Sequence, residues 1–364
     1  MNCPLCDSGR IERTEVRRAV FRHIDFETAA DSIQIGECAD CGLLFQVLEG
    51  SRDPAVLGRL TEPAYARRDH AAQTVNAAGY PAPVTRGFLQ AEILSPLIRA
   101  AAPAILDIGC FKGELLSEIG RRFPEARLHG LDSNGHLRGA FPRGPRFHFS
   151  TSLDDLTGPY DLICSSHSLI YLPNLRDSLV RIGKMLAPGG IWFVQTTDAD
   201  KNPPALLLAD QYCFFSASSL PRVLGQAGFE FTPIPVDWSP RDAVGLARFR
   251  RNGASTRASE GILQSCVSRL DRMADNISSV SRVDRLGILG TTLNAAFADS
   301  VLGDRALFFA DEDSSKVGGI FRGKKVVHPA ELTARDTLIL PYGDSSDRIL
   351  SRFKPRCPAT FLCA

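Results

Sequence analysis

The stretch Ala104-Ile-Leu-Asp107-Ile-Gly109-Cys-Phe-Lys-Gly113-Glu-Leu-Leu-Ser-Glu-Ile-Gly-Arg-Arg-Phe123 decides the fold. It reads as a strand over 104–108, a tight turn, and a helix opening near Gly113. The aspartate ends the strand, Gly109 lets the backbone turn, and Gly113 lets the loop approach a ligand with no side chain intervening. The acid is informative. Phosphate-binding loops present amides and lysine to anions, whereas Asp107 favours a ligand with a positive ammonium group.

Downstream, ARLHGLD gives a second strand ending at Asp132, where a carboxylate accepts hydrogen bonds from ribose hydroxyls. Then come FHFS (147–150), SLDDL (152–156) and YDLICSSHSLIYLPN, with an apolar strand at 160–165. A helix over 174–187 stops at Ala187-Pro188-Gly189-Gly190 and feeds the strand IWFVQTT. SASSLPRVLGQAGF reads as a capped helix ending at Gly228, followed by FEFTPIPV and DAVGLARFRR. Upstream, Phe88, Ile93, Leu94, Leu97 and Ile98 have helical spacing. Strand and helix alternating in this way predict a doubly wound, parallel α/β sheet. His167 falls just past the fourth strand, at the carboxyl edge where such sheets hold ligands. That makes it a candidate substrate or cofactor contact, beside the plain alternative of a packed histidine.

The full chain has 364 residues, 44% hydrophobic and 23% charged, enough for two or three domains with real cores. Its formal net charge of +1 removes the basic footprint of a nucleic-acid or anionic-membrane protein. With no apolar run of membrane-spanning length and no signal-like start, the expectation is a soluble, cytoplasmic protein.

Four of the ten cysteines stand as two C-x-x-C pairs, Cys3/Cys6 and Cys38/Cys41. Two such knuckles complete a tetrahedral sulfur shell, so these four are candidate zinc ligands; a redox role is the rival. With no open coordination position the metal is structural. The intervening run Glu15 to Phe21 supplies material for a joining hairpin. Residues 1–50 hold five arginines, no lysine and nine acids, which opposes a nucleic-acid-reading ribbon.

LDIGCFKGELL, LHGLD, SLDDL, YDLICSSHSL and LAPGGIWFVQ, in that order, resemble the motifs of class I S-adenosylmethionine-dependent methyltransferases. The resemblance covers about 85–250 and implies a seven-stranded methyltransferase sheet. It also implies S-adenosyl-L-methionine as cofactor, bound by Asp107, Gly109, Cys110, Phe111, Gly113, Asp132, Ser133, Ser152, Leu153 and Ser165. Phe111 stands where many members have another glycine.

From about 256 the chain reads as a helix and then a second, Rossmann-like α/β unit. Its loop Gly287-Ile-Leu-Gly290-Thr-Thr falls short of a dinucleotide fingerprint. A ribbon (1–50), a linker or helical lid (51–84), a methyltransferase core (85–252) and this tail (253–364) are together similar to the bacterial sugar C-methyltransferases. The tail carries their G-x-F-x-G-x-x-V-x-x-P-x-E-L pattern from Gly319 to Leu332. That resemblance implies Zn2+, S-adenosylmethionine and a sugar or nucleotide-sugar substrate. Arg248, Arg250 and Arg251 then become candidates for a diphosphate, or else an exposed basic edge.

One segment departs from the family. Where it has roughly Y-H-E-H-L-S-Y-F-S with a catalytic histidine, this chain has Leu208-Ala-Asp210-Gln211-Tyr212-Cys-Phe-Phe-Ser216. Gln211 cannot act as a base, and carbon methylation needs one. Asp210, Tyr212 and His167 are the substitutes at hand, and oxygen transfer asks less of them than carbon transfer. The leading expectation is a small-molecule methyltransferase acting on a sugar-type acceptor at oxygen or carbon. The alternatives are an RNA methyltransferase with a zinc module and a non-catalytic S-adenosylmethionine-binding protein.

Overall fold

Period-two alternation of side chains builds the central sheet. Ile105, Leu162, Cys164, Ile191 and Phe193 go to one apolar cluster, while Leu106, Ile163, Trp192 and Val194 go to another. Strands apolar on both faces belong in the middle of a sheet covered on both sides. The computed structural model describes residues 1–22, 25–47, 74–75, 77–172, 174–250, 261–280 and 283–364. Residues 51–73 and 76 of the expected lid, and Arg251, lie outside them. The chain forms two compact units. The first gathers Met1–Glu12, Gly36–Thr197 and Gln211–Glu260; the second gathers Arg13–Ile35, Asp198–Asp210 and Gly261–Ala364.

In chain order the elements begin with β1 (Ile11–Val16), β2 (Ile33–Cys38), β3 (Leu44–Gln46) and α1 (Arg86–Leu94). There follow β4 (Ala104–Ile108), α2 (Glu114–Arg122), β5 (Arg127–Leu131), β6 (Phe147–Ser150) and β7 (Tyr160–Ser166). Next come α3 (Leu175–Met185), β8 (Leu186–Thr197), β9 (Cys213–Phe214), α4 (Leu220–Gln226), β10 (Phe229–Pro233) and β11 (Asp242–Phe249). The seven-stranded sheet has the order β6-β5-β4-β7-β8-β11-β10. Its first five strands are parallel, and β11 runs antiparallel between β8 and β10. Helices α1 and α2 cover one face through Ala91, Leu94, Leu115, Leu116 and Ile119. On the other face α3 and α4 bring Leu175, Leu179, Ile182, Leu220, Val223 and Leu224.

β8 begins at Leu186, earlier than the sequence suggests. Its pairing with β7 shifts register between Tyr160 and Leu162, so Ala187 to Gly190 form an extended bulge and not a free turn. β1, β2, β3 and β9 make a separate four-stranded sheet. Cys213 and Phe214 pair antiparallel with Phe45 and Leu44, which stitches the segment after Gln211 to the N-terminal module.

The second unit contains α5 (Ile262–Ser278), β12 (Arg285–Leu289), α6 (Leu293–Leu302), β13 (Phe308–Ala310), β14 (Ile320–Phe321), β15 (Lys324–Val327), β16 (Asp336–Leu340), α7 (Ser346–Phe353) and β17 (Thr360–Cys363). Its sheet runs β14-β15-β13-β12-β16-β17, parallel except at β14. Over its glycine turn the Tyr342 hydroxyl donates to the Leu289 carbonyl at 2.9 Å. A Cβ on Gly290 would lie 2.1 Å from that oxygen, so the tyrosine occupies the space over this turn. Part of the run between the cysteine pairs also belongs to this unit, where Val20–Phe21 pairs with Thr28–Ala30. Among the described residues, no helix is long and apolar enough to cross a membrane.

Candidate functional site

The carboxyl ends of β4, β5 and β7 converge on one loop. Gly109 adopts φ +77°, Phe111 +48° and Gly113 +75°. At Gly109 the left-handed turn coincides with a close approach, because a Cβ there would meet the Ser168 Cβ at 2.5 Å. Only glycine meets both demands. The same contact puts the His167–Ser168 turn directly against the loop. The Gly109 and Cys110 amides donate to the Leu131 carbonyl at 2.7 and 3.0 Å, tying the loop to the end of β5.

Asp132 accepts from the Phe111 amide at 3.1 Å and from the Asn134 amide at 3.0 Å. Burial raises its pKa, and those two amides work against the rise. Asp107 is buried, and its pKa is pushed up to about 8, first by burial and then by the charge of Asp132. Without a ligand this carboxyl is protonated at neutral pH; a cation placed beside it would favour the ionised form. Burial, with Asp107 and Asp132 close by, also holds the Cys110 thiol protonated.

The other expected cofactor contacts have local duties of their own. Ser133 is exposed. The Ser152 hydroxyl accepts from the Asp154 amide at 3.1 Å, capping the short turn Leu153–Asp155, and Leu153 packs partly buried on the core. Ser165 is buried, its hydroxyl accepting from Trp192 Nε1 at 3.0 Å. Tyr212 is fixed through its backbone, its amide donating to Ile170 O and its carbonyl accepting from the Gln46 amide, both at 2.9 Å. Asp210 is buried and belongs to the second unit.

His167 is drawn into a network that no motif announces. Its φ is +56°, a strained value for a non-glycine residue, and its amide donates to Gln195 O at 2.8 Å. Its Nε2 lies 3.1 Å from Asp242 Oδ2, an ion-pair approach and not an aligned hydrogen bond. Thr197 Oγ1 stands 3.5 Å from Nδ1. The same Asp242 oxygen accepts from Gln195 Nε2 at 2.7 Å and Ser239 Oγ at 2.5 Å. Gln90 Nε2 donates to Gln195 Oε1 and Ser166 Oγ, both at 2.9 Å. Burial opposes charge on Asp242, yet His167 and the two donors outweigh it and hold its pKa well below the carboxylate range. The His167 side chain is 25% exposed, so a ligand can reach it.

Reading along the sequence misses Asp242, Gln195 and Gln90, which are far apart in the chain and meet only once the sheet forms. The antiparallel register that sets Asp242 opposite Thr197 is what delivers the carboxylate to His167.

In the N-terminal module the four cysteine sulfurs lie within 4.8 Å of one another. Cys3 and Cys41, and Cys6 and Cys38, approach to 3.6 Å. Sulfurs about 2.3 Å from a tetrahedral zinc are about 3.8 Å apart, so the set fits that ion. Among the described residues it is the one cluster with metal-ligating geometry.

Residues 85–234 match a family model described as a methyltransferase domain. The core is a methyltransferase domain. Among curated proteins, this methyltransferase-bearing chain is similar to the trans-aconitate 2-methyltransferase of Deinococcus radiodurans, 33% identical over 94 residues, or 25% of this chain and 36% of that protein. It is also similar to the protein of the same name from Methylobacterium radiotolerans, 32% identical over 150 residues, or 39% of this chain and 58% of the relative. The chain thus spans between about a third and three-fifths of these two relatives' length. Among solved structures, human N-acetylserotonin methyltransferase in complex with S-adenosylmethionine matches 45% of this chain and 51% of its own at 21% identity, with a TM-score of 0.37.

Proposed function

We propose that the protein is an S-adenosylmethionine-dependent methyltransferase acting on a small molecule, with a sugar or nucleotide-linked sugar as acceptor and oxygen or carbon as the site of transfer. The observation that carries the reading is the seating of the His167–Ser168 turn against the Gly109 loop, with His167 backed by the buried Asp242 carboxylate. A loop suited to the cofactor and a histidine suited to proton transfer thus sit side by side.

In this reading Asp107 faces the cofactor's ammonium group and Asp132 accepts from its ribose hydroxyls. Gly109, Cys110, Phe111 and Gly113 shape the cradle, while Ser133, Ser152, Leu153 and Ser165 form its outer wall. S-adenosylmethionine, when bound, supplies an activated methyl group on a sulfonium. The chain's own work is alignment, exclusion of water and proton removal. With Nε2 facing the Asp242 carboxylate at ion-pair distance, Nδ1 is the nitrogen left to accept the acceptor's proton, and Asp242 steadies the imidazolium that results. A hydroxyl acceptor suits this pair best, since Gln211 stands where a carbanion-forming histidine would be. Asp210 and Tyr212 are the alternative bases. Cys3, Cys6, Cys38 and Cys41 hold a structural zinc.

A carboxylate acceptor is the second form of the same reading. The name of the curated relatives supports it, and so does Arg86 at the start of α1, partly buried with its Nε unpartnered.

Calorimetric titration with S-adenosylmethionine tests the core of the proposal. Micromolar binding is expected; no binding at millimolar cofactor refutes the enzyme reading. With cofactor bound, His167→Ala should slow transfer to a working acceptor by about a hundredfold or more. Salt-sensitive binding of bulk RNA would instead favour an RNA acceptor.

A further inference from the structure

Helix α1 buries Gly87, Gln90, Ala91 and Leu94, residues at helical spacing along one stripe. A glutamine on such a stripe is unusual, and Gln90 is only 3% exposed. A buried amide is costly unless its polar atoms find partners. Gln90 uses both hydrogens of Nε2, donating to Ser166 Oγ and to Gln195 Oε1, each at 2.9 Å. Gln195 on β8, itself fully buried, passes the chain on: its Nε2 donates to Asp242 Oδ2 at 2.7 Å.

The sense of this chain is fixed by its end. Asp242 is held ionised, and an ionised carboxylate only accepts. Gln195 must therefore present its NH2 group to Asp242, which turns Oε1 towards Gln90, and Gln90 must answer with its own NH2 group. Reversing either amide sets oxygen against oxygen. The relay has one stable polarity, and it starts on α1.

Two contacts tie the relay to His167. The Gln195 carbonyl accepts from the His167 amide at 2.8 Å, and Ser166, held by Gln90, is the residue before His167. On the other side, Gln195 and Ser239 hold Asp242 Oδ2 at 2.7 and 2.5 Å. Both are closer than His167 Nε2, which approaches to 3.1 Å without hydrogen-bond alignment. The carboxylate is thus placed by its donors and not by the histidine it faces. Of the other charged groups, Arg86 on α1 acts on Asp242, and Glu114 at the start of α2 acts on Arg86; both stay in place in every variant below.

We propose that Gln195 is a positioning residue for proton transfer, with Gln90 fixing the sense of its amide. Gln195 holds His167 through its carbonyl and Asp242 through its side chain, which keeps the two at one spacing. The inference rests on the methyltransferase reading with His167 as its base.

The test follows His167 itself in the full-length, ligand-free protein. The seven histidines are labelled with 15N, and the signal absent from His167→Ala belongs to that residue. At one fixed pH near neutral, Asp242→Asn marks where the His167 signal goes when its carboxylate is lost. Gln195→Met removes the donor at nearly unchanged volume and should move the signal at least about half of the way to that position. Gln90→Met should move it in the same direction by less. In the Gln195→Met background, Gln90→Met should move it no further, because its effect runs through Gln195. An added shift in that background overturns the route through Gln195. If Gln195→Met does not fold, Gln90→Met alone carries the test by its shift towards the Asp242→Asn position.

A role in packing alone would lower the melting temperature of both glutamine variants and leave the His167 signal in place, and that result overturns the positioning role. A signal that Asp242→Asn itself leaves unmoved overturns it too, by separating Asp242 from His167. Calorimetry of the wild type with S-adenosylmethionine keeps the two readings apart. Binding with an unmoved signal overturns only the positioning role. No binding at millimolar cofactor overturns the methyltransferase reading, and with it the reaction that the pair would serve.

Discussion

The Phe111 amide donates to Asp132 Oδ2 across 3.1 Å, joining the loop after β4 to the carboxylate after β5. One side chain thereby braces the loop after β4 and, through the Asn134 amide on its other oxygen, the turn after β5. Phe111 replaces a glycine common at this place in the family it resembles, and its left-handed backbone is held by that hydrogen bond.

Asp132→Ala should therefore act twice on cofactor binding. Loss of one or two hydrogen bonds to a charged acceptor is worth about 1.5–3 kcal/mol each, so S-adenosylmethionine affinity should fall at least tenfold. Amide hydrogen exchange at Phe111 should accelerate as the brace is lost. Asp132→Asn keeps an acceptor oxygen and should lie between. An unchanged dissociation constant in the alanine variant would mean that the second strand does not carry the ribose contact.

Asp107 gives a pH signature. Its folded pKa of about 8 lies above the unfolded value, so the ligand-free protein holds this proton through neutral pH. The stability tied to that proton is full in acid, below the unfolded pKa, and is lost as pH rises towards 8. A cationic ammonium group favours the ionised carboxylate, so cofactor binding near pH 7 should release close to one proton. Affinity should accordingly rise with pH on the acid side of 8. Calorimetry in buffers of different ionisation heat measures the release directly. Asp107→Asn should bind more weakly and release none; equal release in the variant would locate the proton elsewhere.

Much of the core can be read along the chain, because consecutive strands, turns and helices place Asp107, Gly109, Gly113 and Asp132 at fixed distances from their own motifs. Proton-transfer geometry is another matter. His167 is legible only as a histidine at a strand end, while Asp242, Gln195 and Gln90 come from an antiparallel strand, its neighbour and a helix before the first motif. Their meeting is a property of register, which composition does not reveal. The N-terminal cysteines are legible because two residues in each pair fix the ligand geometry locally. The polypeptide between the pairs is not: its ends enter the four-stranded sheet as β1 and β2, while Val20–Phe21 and Thr28–Ala30 between them pair with each other and gather with the second unit.

Metal content is a direct check on that cysteine geometry. The protein should contain one zinc per chain by elemental mass spectrometry, and Cys38→Ser should lose it. Cys3, Cys38 and Cys41 are buried in the same apolar cluster as the helices α3 and α4, so metal loss should also lower the melting temperature of the methyltransferase core. Full zinc occupancy in Cys38→Ser would show that the ligand set is wrong.

In the second unit Asp299 on α6 is buried, 2.8 Å from Arg322 Nε and in contact with Lys324 Nζ. Arg322 also donates to the Phe26 carbonyl and lies 5.2 Å over the Phe21 ring, so the aspartate anchors the arginine that holds the Val20–Ala30 hairpin. Asp299→Ala leaves two neighbouring cations without their anion. The expected cost is about 3–5 kcal/mol, measured as a lower midpoint in urea. Amide exchange of Val20 and Phe21 should speed up by more than that of the seven-stranded sheet, because the hairpin is the part Arg322 holds. Asp299→Asn keeps one acceptor oxygen but not the charge and should lose less. A loss below about 1 kcal/mol in the alanine variant would place this triad among solvent-screened surface pairs and remove it as the hairpin's anchor.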